Sequence, residues 1–527
     1  MFTYQEVYEA TKEYFFGNEL LTSIWLSKYT LKDKQNNYFE LTPDERVKLI
    51  AKELTRIEKS FNQIDKERSL DFEENSFYER TYKLLKDFNY FIPAGSILYG
   101  VGNSHFLSSL GNCFVIGNDT DSYGSICMID QEQVQLMKRR GGVGHDLSHL
   151  RQKGRPVNGC ANTSTGSVSF APRYSNSTRE VAQDGRRGAL MLTHHINHPD
   201  IEDFIVLKDD TRDVTGANIS VKLTDEFMES VINDKNHHFH FPIDDKSTDY
   251  GSKSSREIFN KLVHQAWKNG EPGVLFWDKI IKESPADCYP YFHTKSTNPC
   301  GELPLSPYDS CRLGHINLFA YVKNPFTSSS CFDWISFESD VQFIQRLMDN
   351  IIELEREKVE EIISQVKSSY DDESVKMTEL SLWKKVHESL LKGRRTGLGV
   401  MGEADMFAGL GLPYDSPEAF EMGVEVHRRL ALCSYMSSIT LAEERGSFLV
   451  FSHKLEENNP FIQRIKSGLT PEWVEKYLKF GRRNISNLTV APTGTTSQIV
   501  NRMGVSSGME PVFEVFYKRR RKINPND

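Results

Sequence analysis

The period of the apolar positions changes along the chain. Val47, Ile50, Leu54, Ile57 and Phe61 recur at spacings of three and four, the stripe of an amphipathic helix. Thr42-Pro43-Asp44-Glu45 starts it, with a cap, a first-turn proline and acids near the positive helix end. Residues 1–92 are therefore expected to form an N-terminal helical domain. From Phe91 the texture is different. Ile92-Pro-Ala-Gly-Ser96-Ile-Leu and Gly111-Asn112-Cys113-Phe-Val-Ile-Gly are short apolar runs bounded by Gly, Pro and Asn, which suit buried strands. They alternate with helical patterns at 125–138, 223–232 and 255–268 until about residue 320, which predicts an α/β arrangement. Two long helical patterns follow, at 334–370 and 416–447. Between them Arg394-Arg-Thr-Gly397-Leu-Gly399-Val-Met-Gly402 reads as a tight strand or turn with close backbone contacts. Leu488-Thr-Val-Ala-Pro492-Thr493-Gly494-Thr495-Thr496-Ser497 reads as an apolar strand, a turn and a hydroxyl-rich helix start, either a phosphate cradle or a simple capped helix. There is no internal repeat.

Composition narrows the class. With 527 residues, 38% of them hydrophobic, the chain has material for several domains or one large barrel with added helices. A net charge of −9 argues against a general nucleic-acid binder, despite the basic run Lys518–Lys522. Eight cysteines without close pairs do not make a disulfide scaffold. No signal peptide is legible, nor an apolar run near the ~18 residues that span a bilayer, so a reducing cytoplasm is the expected setting.

Candidate chemistry concentrates in Ser296-Thr-Asn298-Pro-Cys300-Gly-Glu302, followed eleven residues after Cys300 by Cys311. On an extended chain residues at i and i+2 point the same way, so Asn298, Cys300 and Glu302 can present an amide, a sulfur and a carboxylate to one small ligand. That set can bind hydroxyls, do radical or nucleophilic chemistry at sulfur and move a proton. The competing reading is a buried cysteine in a Pro/Gly-rich loop. Arg140-Gly-Gly-Val-Gly-His145 and Gln183-Asp-Gly-Arg186-Arg187-Gly-Ala189 read as glycine-and-arginine loops, suited to phosphate or simply surface turns. His145 and His149 are expected in loops. His194, His195 and His198 lack a matching Cys, Asp or Glu set, so no metal site is expected. Cys127, Cys160, Cys288, Cys331 and Cys433 have no motif context and are expected to be structural thiols.

Together these motifs resemble the catalytic subunit of ribonucleotide reductases, most closely the class II, adenosylcobalamin-dependent enzymes. Asn298-Pro-Cys300-Gly-Glu302 is similar to that family's active-site loop. Gly111-Asn-Cys113-Phe and Ser310-Cys311-Arg-Leu-Gly-His-Ile-Asn are similar to the segments bearing its redox cysteines. Arg140–Arg151 and Arg186-Arg-Gly-Ala-Leu resemble its nucleotide-loop region, and Ala491–Ser497 its substrate phosphate loop. The start, Trp25–Leu31 with Glu40-Leu-Thr-Pro, and Ser507-Gly-Met-Glu-Pro-Val-Phe513 extend the resemblance over nearly the whole chain.

The resemblance implies a ten-stranded α/β barrel of two parallel halves over 93–527, with a cysteine-bearing finger loop inside and the helical domain 1–92 before it. It implies a ribonucleoside-diphosphate reductase, an oxidoreductase making 2′-deoxyribonucleotides by a thiyl-radical mechanism. Cys300 would carry the radical, Glu302 act as general base, Asn298 hold the sugar, and Cys113 and Cys311 reduce by closing a disulfide. Pro492, Thr493, Gly494, Thr495, Thr496 and Ser497 would bind substrate phosphates, with Ser96 and Asn112 adding contacts. A second site for a dNTP or ATP effector is expected at Asp121, Ser122, Arg151, Gln183 and Arg187. The implied cofactor is adenosylcobalamin; the alternative is a class I catalytic subunit whose radical comes from a metal-bearing partner subunit. The implied partners are a ribonucleotide, an effector, a thioredoxin- or glutaredoxin-type reductant and a second copy in a homodimer. Family members continue past the Phe513 segment with more barrel and a cysteine-pair tail. The expectation is therefore either a trimmed chain or a second polypeptide carrying that part, and a nucleotide-binding fragment active only with a second chain is the third reading. No added ATP-binding regulatory cone is expected before the barrel.

Overall fold

The apolar stripe of the N-terminal segment becomes a packed helical layer. Helices α1 (Tyr4–Tyr14), α2 (Glu19–Lys28), α3 (Pro43–Ile64) and α4 (Glu74–Leu85) fill it, and Val47, Ile50, Leu54 and Ile57 are all buried. The computed structural model describes residues 1–64, 73–117, 120–183, 186–210, 212–512 and 514, without the side chains at 63–64, 182–183 and 186–187. Phe513 and the basic run 518–522 lie outside the described residues. The α3 stripe packs into one core with Leu347, Met348 and Ile351 of a long helix, Trp334–Lys367, and with Val426 and Leu430 of another, Pro417–Arg445.

Ten of the sixteen short strands among the described residues position the site: β1 (Phe91–Pro93), β2 (Cys113–Val115), β3 (Gly142–Asp146), β4 (Leu190–His195), β5 (Asn218–Leu223), β6 (Gly273–Phe276), β7 (Ser296–Thr297), β8 (Pro304–Leu305), β9 (Ser310–Asn317) and β10 (Thr396–Met401). Strands β2 to β6 are parallel neighbours in chain order. Such strands are covered on both faces, and all six residues of β4 are buried. Strand β9 runs antiparallel to β1 and β2 and parallel to β10, joining a second half to the first. The eight-stranded sheet is completed beyond β10 by one parallel bridge, Leu398 to Leu488. β7 and β8 stay outside the sheet as an antiparallel hairpin. This is the expected α/β barrel architecture, with eight sheet strands among the described residues.

Several local expectations change. Residues 95–100 form a short helix after β1 rather than more strand. Arg140–His145 is no loop: it leads into β3, and His145 is buried in that strand with burial pushing its pKa down to about 3. Residues 373–393, unassigned by the apolar pattern, are helical. Ser497–Arg502 is a 3₁₀ stretch broken at Val500 and Asn501. No helix among the described residues is long and apolar enough to cross a membrane.

Candidate active site

Glycines decide where the β7–β8 hairpin can lie. A Cβ on Gly144 would stand 1.8 Å from the Thr297 carbonyl oxygen, and one on Gly142 2.9 Å from Pro299 Cγ. The bare edge of β3 thus lets the hairpin lie flush against the sheet. The glycines that suggested phosphate binding serve this close approach. At the hairpin tip Asn298 N–H donates to Leu303 O (3.1 Å), Leu303 N–H to Asn298 Oδ1 (2.9 Å) and Gly301 N–H to Asn298 O (3.0 Å). Gly301 sits at φ +86°, where a side chain is strained. The loop is fixed mainly by Asn298, which is fully buried, while Cys300 is exposed at the tip.

Three of the expected residues meet here. Asn298 Nδ2 donates to Cys113 Sγ at 3.5 Å. Cys113 is the register partner of Cys311 across β2 and β9. Opposite residues of an antiparallel pair have Cα atoms roughly 4.5–5.5 Å apart, inside the roughly 4.4–6.8 Å range of a disulfide. Both are thiols here. Room for Cys311 comes from Gly397 of β10, where a Cβ would be 2.3 Å from its sulfur. Burial pushes the Cys311 thiol up to about 12, although Arg312 and Arg395 pull the other way.

Glu302 is largely buried, and burial raises its pKa above the ordinary 4.5 while a hydrogen bond with Asn298 lowers it in part. Its Oε2 is buried without a hydrogen-bond partner. An unpaired buried carboxylate oxygen is costly, so a hydroxyl brought beside it would be bound strongly. Thr489 Oγ1 donates to the Glu302 carbonyl (3.2 Å), tying the tip to the segment beyond β10. Ala94, Leu303, Cys311 and Ala491 share one small apolar cluster. That cluster brings the Ser96 helix, the finger, the cysteine pair and the 492–497 loop to one place.

Ser96 N–H donates to Asn112 Oδ1 (3.2 Å), and the buried Ser96 Oγ has no partner. In the 492–497 loop, Thr493 has φ +49° and its Oγ1 accepts from Gly508 N–H at 2.9 Å. Ser497 Oγ lies 3.0 Å from Ser507 Oγ, and Lys28 of α2 donates to Thr495 Oγ1 at 3.2 Å. The loop therefore presents Gly494, Thr495 and Thr496 beside a lysine ammonium, a fit for an anion.

Asp121, Ser122 and Arg151 line a separate cavity of about 200 Å³ with Tyr123, Ile126 and Phe170. Arg151 binds the Asp121 carboxylate through Nε (2.6 Å) and Nη2 (2.9 Å), and that pairing holds the acid below its usual range. Gln183 and Arg187 lie on a two-residue hairpin whose side chains are outside the described part. His194 contacts Ser167 Oγ (2.9 Å) and His198 the Leu150 carbonyl (2.8 Å). Cys127, Cys160 and Cys331 are exposed, and Cys433 is buried. The sequence pattern does not single out Asn218 or Lys222, and it gives Gly144 a place in a glycine-and-arginine loop and Thr489 one in an apolar strand; each acts on a residue distant in the chain.

Residues 111–524 match the family model of the ribonucleotide reductase barrel domain. The chain belongs to that family. It is 34% identical over 433 residues to the vitamin B12-dependent ribonucleoside-diphosphate reductase of Thermoplasma acidophilum, covering 81% of this chain and 49% of the relative. With the enzyme of the same name from Mycobacterium tuberculosis it shares 32% over 444 residues, 84% of this chain and 55% of the relative. Identity to the ribonucleoside-diphosphate reductase subunit alpha of Chlamydia pneumoniae is 24%, over 84% of this chain and 44% of that one. The chain spans about half the length of the curated relatives it matches. The reductase fold is also seen in the class Id ribonucleotide reductase alpha subunit of Actinobacillus ureae, with TM-score 0.63, 19% identity, and coverage of 94% of this chain and 75% of that one.

Proposed function

We propose that this chain reduces ribonucleotides to 2′-deoxyribonucleotides as the catalytic part of an adenosylcobalamin-dependent reductase. The observation that carries the reading is the Cys113–Cys311 register pair, with Asn298 on one of its sulfurs and the unpaired Glu302 oxygen in the same finger. The reaction balances on these groups: one ribonucleotide and two thiols give one deoxyribonucleotide, one disulfide and one water. Cys300, as a thiyl, takes the 3′-hydrogen. Glu302 takes the 3′-hydroxyl proton, as its raised pKa and empty oxygen suit it to do. The 2′-hydroxyl leaves as water with a proton, and Cys113 and Cys311 supply the two electrons. Cys300 then returns its hydrogen to C3′. Asn298 holds the sugar, the 492–497 loop the phosphates, and Ser96 and Asn112 add contacts to the sugar or the phosphates.

The exposure of Cys300 fits a bulky organometallic cofactor, which could not reach a buried thiol. Adenosylcobalamin, when bound, supplies the homolysis that generates the radical. The higher identity to the B12-dependent relatives favours this over a class I subunit served by a metal-bearing partner. The cavity at Asp121, Ser122 and Arg151 is assigned to a nucleotide effector, and Gln183 and Arg187 belong to the same assignment. A thioredoxin- or glutaredoxin-type protein restores the thiols. A homodimer and a cytoplasmic setting belong to the same reading.

Anaerobic incubation with a ribonucleotide, dithiothreitol and adenosylcobalamin tests it, scoring deoxynucleotide and cob(II)alamin. The expected result is product that disappears in Cys300→Ala. Neither product nor cobalamin cleavage, with or without the downstream chain of a relative, would overturn the cofactor assignment.

A further inference from the structure

The finger hairpin is too short to fix its own position: β7 and β8 pair over two residues each. Short strands specify register weakly, and a one-residue slip would turn Cys300 to the opposite face. Something else must hold it. Strand β5 carries two donors four residues apart, Asn218 and Lys222, on one face of the strand. Asn218 Nδ2 donates to the Pro299 carbonyl at 2.7 Å, beside Cys300. Lys222 Nζ donates to the Lys295 carbonyl at 2.5 Å, at the foot of the hairpin. The two accepting carbonyls are also four residues apart, so donors and acceptors match in antiparallel order over roughly 13 Å of extended chain.

The foot is held by two further strands. Lys222, 3% exposed, pairs with Asp146 of β3 at 2.8 Å and lies 4.2 Å from the Trp277 ring centroid. Asp146 also accepts from Thr193 Oγ1 (2.9 Å) of β4, which in turn contacts Ser296 Oγ at 3.0 Å. A buried ion pair is weak evidence for stability, because an apolar replacement is often neutral or better, whereas register-setting is a well-attested use of buried polar groups. We propose that Asn218 and Lys222, with Asp146, form a ruler on β5 that sets the register and depth of the hairpin bearing Cys300. They are positioning residues acting through the finger's carbonyls and not on substrate.

The inference rests on the proposed radical role of Cys300, but its first readout does not. Asn218 is exposed, so Asn218→Ala leaves the core intact; Lys222→Met combined with Asp146→Asn removes the pair without stranding a charge. Hydrogen exchange of the peptide spanning 294–305 and the alkylation rate of Cys300 by iodoacetamide are measured on folded protein, alongside kcat and KM. Both variants are expected to exchange faster in that peptide and to alkylate Cys300 several-fold differently, with exchange of the long helix at 334–367 unchanged. In active enzyme kcat should fall by up to roughly 10²-fold, as expected for a reacting group misplaced by about 1 Å, with KM kept. Unchanged exchange and alkylation in both variants would overturn the ruler. Faster exchange with wild-type kcat would overturn its role in catalysis. A wild-type chain inactive in every assay would instead count against the reductase reading, leaving the exchange result to stand alone.

Discussion

Cys113 and Cys311, 198 positions apart in the chain, face one another as register partners across β2 and β9. The two thiols need no strand to move before they can form a disulfide, because the sheet already holds their backbones at bridging distance. Burial pushes the Cys311 thiol up to about 12 and so keeps it protonated at neutral pH. Exposed Cys300 should therefore react with iodoacetamide well before Cys311. Single-turnover reduction of a ribonucleotide without external thiol should leave a 113–311 disulfide by peptide mapping. Cys311→Ser should reduce multiple turnover to background while the fold, followed by circular dichroism, is kept.

Glu302 supplies a pH signature with a defined sign. Its folded pKa lies above the ordinary 4.5, so the fold binds its proton more tightly than the unfolded chain does. The ionised carboxylate therefore costs stability at neutral pH, and that cost disappears as pH falls through the folded value toward 4.5. Glu302→Gln should raise Tm at pH 7.5, with the gain vanishing near pH 4. The same change should lower kcat by roughly 10²–10⁴-fold and abolish the acid limb of the rate profile. A variant that keeps this limb would move the base elsewhere.

Two glycines are expected to be intolerant for steric reasons alone. Gly144→Ala sets a Cβ against a backbone oxygen of the finger, and Gly397→Ala sets one against the Cys311 sulfur with Leu313 and Thr489 close behind. Overpacking of this kind costs about 1–3 kcal/mol. Both variants should melt lower in thermal scans. They should separate in function: Gly144→Ala should slow hydrogen abstraction by displacing the finger, and Gly397→Ala should slow closure of the 113–311 disulfide, read by diamide oxidation.

Legibility in the sequence followed distance along the chain. Asn298, Cys300 and Glu302 could be grouped because a two-residue spacing acts locally. The opposition of Cys113 and Cys311 came only with the family resemblance, since nothing local carries information across 198 positions; the sheet register supplies it. The glycines before His145 looked like a phosphate loop because a loop glycine and a strand glycine are alike until the partner is known, and here the partner is Thr297, in the finger. The helix at 373–393 escaped notice because its buried face mixes Lys376, Glu379 and Ser389 with Leu382, Trp383, Val386 and Leu390, which blurs the apolar stripe. Lys222 was invisible for the opposite reason: a lone lysine in an apolar run gives no hint that a carbonyl 73 residues later needs it.

The loop at 492–497 gives the last prediction. Lys28 reaches it from the N-terminal helices and touches Thr495 Oγ1 at 3.2 Å, so its charge lies beside the turn assigned to substrate phosphate. A phosphate far from the reacting carbon is held alike in ground and transition states, and removing such a contact weakens binding without slowing chemistry. Hydrogen bonds to charged groups contribute about 1.5–3 kcal/mol, equivalent to roughly 10–150-fold in binding. Lys28→Met should raise KM for a ribonucleotide toward the lower end of that range, since the lysine stands behind a threonine, and leave kcat at saturation unchanged. The difference should shrink at high salt. A matching loss for a nucleoside without phosphates would mean that Lys28 acts on the loop's shape and not on the anion.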